Sequence, residues 1–235
     1  PRYPGPLAQA QGEMGKWGVA LAQAQGEMGK IVILEGAVAI LFDFDGVLAD
    51  TEPLHWECWN EALRPVGLEV NWDDYRRHCV GISDREFLER LGALGRPART
   101  ADELWPYYPL KKRLFQRRAT GGGLVCDEVK ELLSRMPAER LAVVTSSSRQ
   151  EIEPILRAEG ILHRFGATVY GDEVKRLKPD PEPYRTAMER LGARRAIALE
   201  DSVPGIASAR EAGCEVIEVR HPGEVAGILR ALLGW

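Results

Sequence analysis

LFDFDGVLADTE, residues 41–52, decides how this chain is read. The apolar run Val38 to Phe42 ends on Asp43, Asp45 follows two residues later, and Gly46 opens a turn. Such a short continuous apolar run, closed by turn chemistry, predicts a buried strand. Acidic residues are rarely buried without a partner. Two carboxylates about 4 Å apart in one pocket repel by about 4 kcal/mol at an effective dielectric near 20. Either a cation neutralises such a pair or one member keeps its proton, and both solutions are chemistry. Taken alone, the D-x-D pattern reads equally well as a polar strand end with a solvated turn.

The surroundings set the class. The chain has 235 residues, enough to bury a full core, with 45% hydrophobic and 28% charged residues, ordinary for a globular protein. A formal net charge of −4 argues against nucleic-acid binding through a basic surface. No apolar run reaches the length of a membrane span; Glu35 and Gly36 interrupt the most apolar region. No charged start followed by an apolar block marks a secretory signal. Cys58, Cys79, Cys126 and Cys214 have no paired spacing, which fits reduced thiols in a cytoplasmic protein.

Residues 1–30 stand apart as an N-terminal extension. LAQAQGEMGK occurs at 7–16 and again at 21–30, too few copies for a solenoid, and Met28 is a candidate start. A short extra strand is expected at 31–34. After Glu52 the texture turns helical. Helices are expected at 53–64, 73–79, 83–94 and 101–118, the last interrupted near Pro109. Ser83 and Glu86 suggest a capping box. Gly121 to Gly123 then form a joint, so 53–123 reads as an all-helical insert. From residue 124 strands and helices alternate. Strands are expected at 141–144, 167–170, 196–199 and 215–219, and helices at 127–136, 150–159, 181–191, 204–212 and 223–233. The C-terminal helix and Trp235 are expected to pack on the core. The fold class is therefore α/β: a Rossmann-like three-layer parallel sheet core, residues 31–52 and 124–235, with the all-helical cap at 53–123 inserted.

In parallel sheets ligands sit beyond the carboxyl ends of the strands. Those ends carry Asp43 and Asp45, then Thr145-Ser146-Ser147-Ser148, then Lys178 of RLKPDP, then Glu200 and Asp201. Each group has a bland reading as a turn, a cap or a solvated charge. The topology brings all four ends to one edge.

DFDGVLADTE, VVTSSS, RLKPDP and LEDSVPGI, in this order, resemble the motifs of the haloacid dehalogenase-like phosphotransferase superfamily, over about residue 38 to the C-terminus. The insert resembles the four-helix cap of one subfamily, β-phosphoglucomutases and sugar phosphatases included. The resemblance implies Asp43 as nucleophile, already ionised at neutral pH, and Asp45 as general acid and then base. It implies Mg²⁺ held by Asp43, the Asp45 carbonyl and Asp201, with Glu200 as ligand or assisting through water. Thr145 and Ser146 would bind phosphoryl oxygens, Thr145 as the principal hydroxyl, and Lys178 would neutralise developing charge. Asp45 argues against dehalogenation.

DTEPLHWECW is similar to the start of the β-phosphoglucomutase cap, with His55 and Trp59 at matching positions. His55 would couple the cap to the acid, or it is simply a surface histidine on a helix. Gly81 to Ser83 resembles the cap specificity loop. Where the mutases place a phosphate-binding Arg, this chain has Asp84, with Arg85 next as the residue expected to bind substrate in its stead, and Lys111 or Lys112 would stand for the mutases' cap Lys. The expectation is a cytoplasmic, monomeric, Mg²⁺-dependent phosphatase of a small phosphorylated metabolite, with no nucleic-acid or membrane partner. The alternatives are a sugar-phosphate mutase with the same aspartyl chemistry and a catalytically silent binding protein.

Overall fold

The computed structural model describes residues 38–79, 82–95 and 97–234. The N-terminal extension, the strand expected at 31–34, Gly81 and Trp235 lie outside these residues. Five strands form one parallel sheet: β1 (Val38–Phe42), β2 (Leu141–Val144), β3 (Ala167–Val169), β4 (Arg195–Glu200) and β5 (Glu215–Glu218). Their order is β3-β2-β1-β4-β5. The chain builds outward from β1 to β3, then crosses back to add β4 on β1's other side. That reversal makes the carboxyl end of β1 a topological switch point, where a crevice opens. Register runs from Val38 opposite Arg195 to Phe42 opposite Leu199.

Alternation along the strands divides the core. Ile40, Phe42, Val143, Ile197 and Leu199 face one layer, built from α6 (Asp127–Ser134), α7 (Arg149–Ala158) and α10 (Val225–Leu233). Ala39, Leu41, Ala142, Val144 and Ala198 face the other, built from α8 (Glu182–Leu191) and α9 (Val203–Glu211). Small alanines on that second face let Tyr184 and Ala187 of α8 approach the sheet closely. Each large apolar side chain so buried contributes about 1.5–3 kcal/mol.

Between β1 and β2 lie α1 (Glu52–Leu63), α2 (Trp72–His78), α3 (Asp84–Leu94), α4 (Ala101–Leu104) and α5 (Tyr108–Ala119). They bury a cluster of their own around Trp59, Leu63, Leu88 and Leu104. The base of this insert, Leu114, Phe115 and Ala119, joins the sheet's core instead. The break expected near Pro109 falls earlier, at a 3₁₀ turn over Trp105–Tyr107 that contains Pro106. Pro109 sits in the first turn of α5, where its missing N–H costs nothing. Ser83 caps α3 by accepting from the Glu86 N–H, but the box is not closed: the Glu86 carboxylate pairs with Arg90 at 2.6 Å. All four cysteines are free, and only Cys126 is exposed. Among the described residues no helix is long and apolar enough to cross a membrane.

Candidate active site

The strand ends converge at the crevice. Asp43 continues the ladder one residue past β1, its N–H donating to Leu199 O at 3.0 Å, so its side chain is fixed by the sheet itself. Lys178 reaches in from the segment between β3 and α8. Its ammonium donates to Asp43 Oδ1 at 2.6 Å, to Glu200 Oε1 at 2.5 Å and to Val144 O at 2.9 Å. Three donors meet three acceptors, and the side chain is only 5% exposed. Burial alone would lower the Lys178 pKa, but Asp43 and Glu200 outweigh it and hold the ammonium charged.

Glu200, expected as a metal ligand or as a group assisting through water, is also engaged by the protein itself. Its Oε1 accepts from Lys178 and from the Tyr184 hydroxyl at 2.7 Å. Its Oε2 accepts from the N–H groups of Asp201 and Ser202 and from Ser202 Oγ at 3.1 Å. The carboxylate is fully buried and its acceptor capacity is used within the protein. Glu200 therefore braces Lys178 and shapes the turn into α9. A Cβ on Gly205 would stand 2.0 Å from Glu200 Oε1, so only glycine lets that helix start so close.

Asp45 is held on both oxygens, by Thr51 Oγ1 at 2.8 Å and Ser147 Oγ at 3.4 Å. Burial raises its pKa, the two hydroxyls partly opposing. That direction suits a carboxyl that must carry a proton to a leaving group. The buried Thr145 accepts from the Ser147 N–H at 3.0 Å, which leaves its own O–H proton to donate. Ser146 is exposed at the mouth, where its carbonyl packs against Gly171.

Asp43, Glu200 and Asp201 offer carboxylate oxygens that all lie within 4.8 Å of one another. Burial pushes Asp43 well up despite Lys178, with Glu200 and Asp45 adding to the rise. Asp201 is raised to about 7, by burial first and Glu200 second. Lys178 offsets one of three negative charges, so a divalent cation balances the remainder. An all-oxygen donor set of this kind suits Mg²⁺, and Asp43 and Asp201 are the carboxylates free to hold it. The turn at Gly46 runs beside this place. Gly46 has φ +75°, and a Cβ there would meet Asp201 Oδ2 at 2.1 Å. Gly46→Ala is expected to lower stability by about 1–3 kcal/mol, read as a fall in Tm, because it adds left-handed strain to that clash.

The cap residues divide. His55 stacks on Phe115 with ring centroids 4.2 Å apart, and burial, then the Lys111 charge, hold its pKa well below the ordinary value. Its backbone N–H donates to Thr51 O at 2.9 Å, an ordinary bond of the first turn of α1, which places His55 one turn beyond the residue that grips Asp45. Arg85 is not turned toward the carboxylates. It pairs with Asp102 at 2.5 Å, lies over the Trp105 ring and is half exposed. Thr51, Ser147 and Tyr184 were missed as site residues. Only the position of Thr51 directly after the D-x-D turn and that of Ser147 inside the hydroxyl run could have signalled them.

An aspartate past the central strand of a parallel sheet, gripped by a buried lysine, with a helical insert after that strand, is the arrangement of one hydrolase class. The model of the haloacid dehalogenase-like hydrolase family matches residues 40–219, and the chain belongs to that family. It is 33% identical over 186 residues to the phosphorylated carbohydrates phosphatase of Thermotoga maritima, covering 76% of this chain and 83% of that one. It is 30% identical over 211 residues to the fructose-1-phosphate phosphatase YqaB of Escherichia coli, covering 79% and 98%. Among solved structures, CbbY from Rhodobacter sphaeroides in complex with phosphate superposes with a TM-score of 0.61 at 30% identity, covering 78% and 87%.

Proposed function

We propose that the protein is a Mg²⁺-dependent phosphatase of a small phosphorylated metabolite, a sugar phosphate by the company of its relatives, working through a phosphoryl group carried on Asp43. The observation that carries this reading is the Lys178 bridge between Asp43 and Glu200 at the switch point. It fixes one carboxylate against rotation in a buried setting, with an ammonium beside it. An Asp43 carboxylate oxygen attacks phosphorus while the bond to the ester oxygen breaks, and Asp45 gives that oxygen its proton. Asp45, now a carboxylate, takes a proton from the water that cleaves the acyl phosphate, which returns Asp43 and frees inorganic phosphate. Thr145 and Ser146 donate to the phosphoryl oxygens, and Lys178 balances charge on Asp43 throughout. Asp43, Asp201 and the Asp45 carbonyl would hold Mg²⁺, which would supply charge neutralisation for the phosphoryl oxygens.

The test is turnover of a panel of sugar phosphates with Mg²⁺, read both for free phosphate and for isomerised sugar phosphate. Free phosphate from particular substrates supports the phosphatase. Isomerisation without release replaces it with a mutase. The raised Asp201 pKa adds a prediction with a definite sign. A proton must leave Asp201 before a cation binds, so Mg²⁺ affinity falls as pH drops through about 7. Calorimetric titration is expected to show binding about tenfold weaker near pH 6 than near pH 8, with proton release on binding.

A further inference from the structure

The hydroxyl run Thr145 to Ser148 is gripped by a segment to which the chemistry above gives no part. That segment is Gly171 to Glu173, just after β3. Gly171 donates its N–H to Ser147 O at 2.8 Å. Asp172 Oδ1 accepts from the N–H of Arg149, the first residue of α7, at 3.1 Å. The Glu173 carboxylate pairs with the Arg149 guanidinium, which lies over the Tyr170 ring at 4.7 Å. With its other oxygen Glu173 pairs with Arg190 of α8 at 2.8 Å. Three consecutive residues thus fasten the loop and helix that follow β2 to the end of β3.

The hydroxyl run needs such a grip. Serine and threonine side chains offer the backbone several competing hydrogen bonds, so contacts from outside decide among them. Ser148 and Glu151 close a capping box at the start of α7, with Ser148 Oγ donating to Glu151 Oε2 at 2.8 Å. The box leaves the Arg149 N–H over, and Asp172 takes it. Gly171 comes closer still. A Cβ on it would stand 2.1 Å from Ser146 O, so only glycine lets the two segments touch there. Ser147, whose carbonyl Gly171 holds, donates its hydroxyl to Asp45 Oδ2 at 3.4 Å. A shift of the loop is therefore felt at the proton donor as well as at the hydroxyls that meet phosphate.

We propose, building on the phosphatase reading, that Gly171 and Asp172 are positioning residues: by holding Ser147 O and the Arg149 N–H they set where the Thr145–Ser148 hydroxyls meet the phosphoryl group and Asp45. The probes are p-nitrophenyl phosphate and phenyl phosphate with Mg²⁺, and inorganic phosphate as inhibitor. Wild type, Asp172→Ala, Asp172→Asn and Gly171→Ala are compared by kcat/KM, by the phosphate concentration that halves the rate, and by Tm. Asp172→Ala is expected to lower kcat/KM for p-nitrophenyl phosphate by about tenfold and to weaken inhibition by phosphate. Its Tm should change little, because Asp172 is exposed. Asp172→Asn keeps an acceptor for the Arg149 N–H and should return both values to within about twofold of wild type. Gly171→Ala is expected to cost about a hundredfold, and more with phenyl phosphate, whose more basic leaving group depends on the proton from Asp45. A segment that only supports the fold would lower Tm in Asp172→Ala and leave kcat/KM and phosphate inhibition unmoved, which overturns the proposal. An Asp172→Asn variant as impaired as Asp172→Ala overturns it too, since the hydrogen bond would then not be what matters. Both comparisons stand where Gly171→Ala fails to fold. Hydrolysis of p-nitrophenyl phosphate by the wild type separates the two levels. With no phosphate release there, the phosphatase reading fails and takes this inference with it; with release and unmoved values in the variants, only this inference fails.

Discussion

Asp43→Asn is expected to stop phosphate release while leaving the protein folded. The amide keeps the shape of the carboxylate but cannot form an acyl phosphate. The fall in kcat should be at least about four orders of magnitude, because a nucleophile acts as a unit with its acid and its charge partner. The fold should not suffer. Burial already raises the Asp43 pKa, so an uncharged side chain relieves a desolvation cost there, and Lys178 keeps Glu200 and Val144 O as partners. Tm is therefore expected to hold or rise. Acid-quenched wild-type protein, digested and weighed by mass spectrometry, should carry a phosphoryl group on the peptide that contains Asp43. Phosphate release that survives in Asp43→Asn would place the nucleophile elsewhere.

Lys178→Met is expected to damage both activity and stability. It deletes the cation between two carboxylates and orphans a buried carbonyl. Breaking one side of a buried ion pair typically costs about 3–5 kcal/mol, and the 5% exposure of Lys178 leaves little solvent to soften it. Activity should fall by about a thousandfold, since among the described residues no other cationic side chain is paired with the nucleophile. The pH dependence has a definite sign. Without Lys178, Asp43 is pushed further toward the protonated form in the folded state. Its folded pKa then lies above the unfolded one. The variant should regain stability as pH falls and lose it as pH rises through that value. A double variant, Lys178→Met with Glu200→Gln, should be less destabilised than the sum of the two single changes, because the second removes a charge that the first left unpaired. Urea melts at two pH values decide both points.

The sequence showed the ends of strands far better than it showed the spaces between side chains. Asp43, Asp45, Thr145, Lys178 and Asp201 stood out because turn chemistry at the end of an apolar run is local, and a parallel sheet delivers such ends to one edge. Tyr184 did not stand out, since an aromatic on the buried face of α8 looks the same whether or not its hydroxyl reaches a carboxylate. Glu200 was visible as a residue but not as a saturated one: its five donors come from Lys178, Tyr184 and the turn at Asp201–Ser202. Arg85 shows the limit on helices. One residue along α3 turns a side chain by about 100°, enough to separate Asp84, tied to Lys111, from Arg85, tied to Asp102. Periodicity names a face of a helix, but it does not say what that face meets.

The central place of β1 also bears on how the chain is made. Val38 leaves the ribosome long before its partner Arg195 on β4 exists. At ordinary synthesis rates of about 5–20 residues per second, one side of the middle strand waits roughly 8–30 s for its neighbour. Throughout that interval an unsatisfied, wholly apolar edge is open to any passing strand, and nascent chains are where this protein is most exposed to misassembly. A chain stopped just before Arg195 is expected to sediment as aggregate or travel with a chaperone, whereas one that runs past Glu218 should stay in the supernatant. Slower synthesis of the stretch between β1 and β4 is therefore expected to lower yield, read as soluble protein per chain made.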